Sequence, residues 1–265
     1  MYIKNRSFVL CSAFFINWAN EIIAFSIENI FTKNNDEYAI LFSIENMYII
    51  PAILEKTNNG LVNQLYHLTP YFTRFHIDIA DLQLVHNTTI QIEEITESTL
   101  TAMNKKTFDF HLMVEKYQSE FEKLHELSSL ITINTVFVHL TPFEKNRLKL
   151  NNTAFQLGIV LNPEDEVSAH WEVINTFSAI QIMSVQPGFQ GASFLPETLE
   201  KINELREKKY PGKIYLDGGI NDKTLPLILR STHLPDVLCV GSYLKENSSE
   251  KLKLMNLLLQ TELNH

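Results

Sequence analysis

The chain has 265 residues, room for one large domain or two small ones, and its 45% hydrophobic and 20% charged content suits a full apolar core rather than disorder. A formal charge of -9 argues against nucleic acid as the main partner, because that binding needs clustered Lys and Arg. The cysteines, Cys11 and Cys239, make neither a disulfide framework nor a metal-knuckle spacing, so a reducing, cytoplasmic compartment is the default.

Residues 1–46 read as an extension distinct from the remainder of the chain. Lys4 and Arg6 before an apolar stretch over 8–18 only loosely imitate a secretory signal, and no apolar run has transmembrane length, so no membrane partner is expected. Phe14, Phe15, Trp18, Ile22, Phe25 and Phe31 recur at near-helical spacing and predict an amphipathic helix, but the extension carries no legible chemistry. From Met47 onward a beat of strand then helix sets in. Strands are expected over 48–54, 74–80, 107–114, 134–140, 154–161, 179–185, 213–217 and 236–240. Helices are expected between and after them, over 60–68, 90–103, 117–130, 143–150, 164–175, 195–208, 223–229 and 250–263. Alternation of this kind implies a parallel sheet covered by helices, and eight such units closing on themselves make a (β/α)8 TIM barrel over residues 47–265. An open doubly wound sheet is the competing fold. Its glycine-rich dinucleotide turn is missing after the first strand, where Leu54-Glu55-Lys56-Thr57 stands.

The second strand, Phe75-His76-Ile77-Asp78-Ile79, alternates with period two, so His76 and Asp78 share the face opposite the apolar residues. The third strand repeats the exception with His111, set opposite Phe108, Phe110 and Leu112, and the seventh ends on Asp217. A single such residue is most simply a solvated position. In an all-parallel sheet both faces are covered, so inward polar groups need partners, and three strands repeating the pattern point to a site. Two histidines and two aspartates suit one divalent cation, zinc first, with iron, manganese or cobalt as alternatives. Glycines cluster later, at Pro187-Gly188-Phe189-Gln190-Gly191-Ala192, Asp217-Gly218-Gly219-Ile220 and Val240-Gly241-Ser242. Glycine lets backbone N–H groups approach an anion closely, and loops after strands seven and eight are the frequent phosphate position in such barrels.

Together these stretches, with Pro51-Ala52-Ile53-Leu54, His111-Leu112-Met113-Val114, Gly158-Ile159-Val160-Leu161-Asn162-Pro163 and Ile182-Met183-Ser184-Val185, resemble the ribulose-phosphate 3-epimerase family from Met47 onward. The resemblance implies a metal-dependent isomerase on a phosphate-binding barrel, with His76, Asp78, His111 and Asp217 as metal ligands. It also implies that Asp78 and Asp217 act as the acid–base pair on opposite faces of a phosphorylated ketose, by default D-ribulose 5-phosphate, through an enediolate. Gly188, Gly191, Gly218, Gly219, Gly241 and Ser242 would hold the phosphate, and Met113 and Met183 match family methionines. Whether the chain forms a homo-oligomer stays open.

The chain also departs from the family. Ala52 stands for a usual serine, Ala80 for a methionine, Leu82 for a glycine, and Gln190 for a phosphate-loop glycine. The usual His-Phe-Val-Pro-Asn is Gln83-Leu84-Val85-His86-Asn87. Leucine does not reach positive φ freely, so Leu82 is expected to reshape the loop over the sugar. Three readings are consistent with the sequence: an epimerase of the default substrate, an epimerase of another ketose phosphate such as a six-carbon one, and a barrel that binds metal or sugar phosphate without useful turnover.

Overall fold

The structure, a computed structural model, describes residues 43–44, 47–146, 154–188 and 191–262. The helix expected over 14–31, and Gln190, lie outside these residues. All eight expected strands form: β1 (Met47–Ile53), β2 (Arg74–Ala80), β3 (Thr107–Met113), β4 (Thr132–His139), β5 (Gln156–Leu161), β6 (Ala179–Met183), β7 (Lys213–Asp217) and β8 (Val237–Val240). They pair in parallel and in chain order. β1 also pairs with β8, Tyr48 opposite Val237 and Pro51 opposite Val240, and this closes the barrel. Ser43–Ile44 adds a short antiparallel pairing at the start of β1. The fold is a (β/α)8 barrel.

The helices are α1 (Asn58–Leu68), α2 (Glu97–Met103), α3 (Tyr117–Leu127), α4 (Leu140–Lys145), α5 (Trp171–Ile174), α6 (Leu199–Glu207), α7 (Leu225–Leu229) and α8 (Ser248–Glu262). Two depart most from what the periodicity predicts. The helix expected over 90–103 is a 3-10 turn, Ile92–Glu94, followed by α2, with Ile95 extended between them. The one expected over 164–175 shrinks to a 3-10 turn, Ser168–His170, and α5, because Asp165 Oδ2 accepts from the Asn162 backbone N–H at 2.7 Å and closes a local turn instead.

Period-two alternation sorts each strand. Outward residues such as Phe75, Ile77, Phe108, Phe110, Ile180 and Ile214 are buried beneath the helices in the main core. The barrel interior holds a second apolar cluster that includes Ile50, Phe137, Val160, Tyr215 and Cys239. Its centre is the Phe137 ring, which meets Tyr215 edge-on at 4.8 Å and fills the space beside Gly158, where a Cβ would fall 2.3 Å from the ring. This plug fills the interior with side chains, and the polar groups lie in layers to either side of it.

Candidate functional site

The inward positions toward the carboxyl ends of the strands gather His76 and Asp78 from β2, His111 from β3 and Asp217 from β7. One ligand atom from each lies within 4.8 Å of all the others. Parallel register sets this up: Asp78 stands directly opposite His111, and Asp217 ends β7 opposite Met183. His76 is 0% and His111 1% exposed, and the two aspartates are 7% exposed at the floor of a cleft. His111 Nδ1 lies 3.0 Å from Asp78 Oδ1 and 3.6 Å from Asp217 Oδ2, and His76 Nε2 lies 3.8 Å from Asp78 Oδ1.

The hydrogen bonds fix which His111 nitrogen carries the proton. Asn162 Oδ1 accepts, so His139, 3.0 Å away at Nδ1, donates there and offers Nε2 as an acceptor. That nitrogen is 2.9 Å from His111 Nε2, which must then bear the proton. His111 Nδ1 is left with a lone pair that faces two carboxylates and the Gln181 amide, 3.2 Å away. Both ring nitrogens of His76 are buried without a hydrogen-bond partner. Convergent lone pairs and an orphaned imidazole are what a cation resolves, so these four residues fit a divalent metal ion by donor type as well as by spacing. Burial first, then the neighbouring Asp78, pushes the Asp217 carboxyl well above the usual carboxylate range. Burial, then His111 and Arg74, pushes His76 well down, leaving it neutral and available as a ligand.

A cleft opens above this floor. Asp78, His111 and Asp217 line it together with Gly188, Gly191, Gly218, Gly219, Gly241 and Ser242, and with Met113 and Met183. The six glycine-loop residues and the two methionines singled out in the sequence thus border one cavity. No Lys or Arg lines it among the described residues, so an anion there would rely on backbone N–H groups. Gly218 shows why glycine stands at the end of β7: φ is +110° and a Cβ would fall 2.4 Å from Val185. Ser184 pins the same turn, donating to the Gly218 carbonyl at 2.7 Å.

A sequence profile of the ribulose-phosphate 3-epimerase family matches residues 48–244. The chain belongs to that family. The Methanocaldococcus jannaschii ribulose-phosphate 3-epimerase is 30% identical over 191 residues, 69% of this chain and 77% of that protein. The Synechocystis ribulose-phosphate 3-epimerase is 29% identical over 184 residues, covering 66% and 78% of the two chains. Among solved structures, 3-hexulose-6-phosphate synthase from Salmonella typhimurium superposes with a TM-score of 0.55 at 11% identity, over 82% of this chain and all of that one, a likeness of fold alone.

The loop after β2 is where the sequence departs from the family pattern. Leu82 adopts φ +67° and is 60% exposed, a left-handed conformation that glycine reaches freely and leucine does not. The Leu82 N–H donates to the Asn87 carbonyl at 3.0 Å, and the Asn87 amide donates to the Gly188 carbonyl at 2.6 Å, tying this loop to the glycine loop opposite. Ala80 is fully buried against Val85 and Met113, and Ala52 lines the cleft. Sequence reasoning missed His139 and Gln181. Both sit at inward positions of their strands, so the parity that picked out His76 and His111 would have found them.

Proposed function

We propose that the chain is a metal-dependent epimerase that inverts C3 of a ketose phosphate, D-ribulose 5-phosphate to D-xylulose 5-phosphate by default. The observation that carries this reading is the convergence of two aspartates and two histidines, within 4.8 Å, at the floor of a glycine-walled cleft. Inverting a carbon beside a carbonyl needs a base that takes a proton from one face and an acid that returns one to the other. Asp78 and Asp217 come from strands on different sides of the cleft and are offered as that pair. The raised Asp217 carboxyl supports a division in which one member holds a proton while the other accepts it. His76, Asp78, His111 and Asp217 would hold the cation. As a Lewis acid, it would stabilise the negative charge that develops on the substrate oxygens. The glycines and Ser242 would grip the phosphate through backbone N–H groups, and Met113 and Met183 would keep water from the reacting carbon. Residues 1–46 take no part in this reading, and a cytoplasmic location fits it.

Incubation with D-ribulose 5-phosphate in D2O, read by proton NMR, is expected to place deuterium at C3. Ala52 motivates a second reading, because the cleft has a methyl group where a hydroxyl would meet substrate. A six-carbon ketose phosphate should then exchange faster than the five-carbon one. Exchange with neither leaves a barrel that binds metal or sugar phosphate without turnover.

A further inference from the structure

Gln181 sits in the middle of β6, points into the barrel and is fully buried. Its Nε2 is 2.9 Å from Asp217 Oδ2 and 3.2 Å from His111 Nδ1, on two of the four residues of the candidate metal centre. Its Oε1 is buried and has no hydrogen-bond partner. The only other partnerless buried side-chain atoms that the described residues place in this layer are the two ring nitrogens of His76.

His111 Nδ1 has one lone pair. Once that pair binds a cation, it can no longer accept from the Gln181 amide, and an N–H aimed at it becomes repulsive. Turning the carboxamide about its last bond exchanges nitrogen for oxygen and removes the conflict. Metal–ligand bonds of about 2.0–2.2 Å put donor atoms sharing one ion roughly 3–3.5 Å apart. The end of Gln181 already stands at that spacing from both neighbours. We infer that Gln181, through Oε1, is a fifth protein ligand to the cation held by His76, Asp78, His111 and Asp217.

The inference rests on the metal-centre reading and adds a chemical preference to it. A carboxamide oxygen is a hard, neutral donor, and a fifth ligand suits an ion that takes five or six ligands, such as manganese, iron or cobalt, over four-coordinate zinc.

The test loads the full chain with Co²⁺ and compares visible spectra and Mn²⁺ affinity for wild type, Gln181→Leu and the volume-conserving Gln181→Met. Wild type is expected to give the weak bands of five- or six-coordinate cobalt, and both variants the stronger bands of a lower coordination number. Manganese binding should weaken at least 10-fold in both variants, at the scale of a disturbed metal shell. Gln181→Glu, which restores an oxygen donor, should return the wild-type band pattern. Circular dichroism identifies any variant that has not folded, and Gln181→Met then carries the comparison. Unchanged spectra overturn the proposal, and so does weaker binding with unchanged spectra, which would make Gln181 a positioning donor to Asp217. Failure of wild type to bind either ion would overturn the metal-centre reading itself.

Discussion

Two polar layers lie inside this barrel, and they solve burial in opposite ways. Toward the amino ends of the strands, Arg74 donates to both oxygens of Asp109 at 2.9 Å and also to the Tyr215 hydroxyl. Asp109 accepts further from Asn134 Nδ2 at 2.9 Å and the Thr135 N–H at 3.1 Å, so this buried carboxylate is fully satisfied. Two residues further along the same strands stand His76 and His111, where lone pairs face lone pairs and ring nitrogens go unpartnered. A layer closed by its own residues serves the fold. A layer left open serves something that binds there.

The sharpest separation between the layers comes from two aspartate-to-asparagine changes. Asp217→Asn should cut C3 deuterium exchange by about 10²–10⁴-fold, the usual scale for a general acid or base. It should not lower the stability of the metal-free protein, because it removes a carboxyl whose burial already opposes ionisation. Asp109→Asn should do the reverse. It strands the Arg74 charge and costs about 3 kcal/mol of stability in urea melts, while the folded fraction keeps its exchange rate. Loss of exchange in Asp109→Asn at full folding would erase the distinction.

Next in size is His139→Phe, which removes the acceptor that sets the His111 tautomer. Metal affinity measured against a competing chelator should fall about 10–100-fold, and an unchanged affinity would remove His139 from the centre. The pH dependence of the metal-free protein sharpens the contrast further. His76 and His139 are held neutral in the fold by burial, so the unfolded chain binds more protons and stability is lost as pH falls below 6.5. Asp217 has the opposite sign: its raised carboxyl binds more protons in the fold, so stability is lost as pH rises above 3.8. Urea melts across pH should show this second trend in wild type and not in Asp217→Asn. Metal uptake near neutral pH should release protons, measurable by calorimetry in buffers of different ionisation enthalpy. The smallest effect lies outside both layers. Leu82→Gly relieves a left-handed leucine but loosens the unfolded chain, for a net gain of about 0.5 kcal/mol.

The strands, their order and the four ligand residues were legible because a polar residue at every second position stands out in an apolar run. Helix limits were less so: a side-chain turn at Asp165 ended one, and an extended Ile95 split another. Gln181 was passed over as the one polar residue of β6, and His139 as the last residue of a strand that also carries Thr132, Asn134 and Thr135. Their partner His111 lies 28 and 70 residues away in sequence, on the neighbouring strand for His139 and across the barrel interior for Gln181. The Arg74–Asp109 pair was missed for the same reason, being 35 residues apart at the amino ends of neighbouring strands.

The claim that the open layer is a metal centre can be met head-on by elemental analysis of the purified full chain after reconstitution with zinc, manganese, iron or cobalt. About one divalent ion per chain is predicted, by analogy with single-ion sites, and none for a His76→Ala, His111→Ala double variant that remains folded. No bound ion in wild type, or equal occupancy in the double variant, would contradict it.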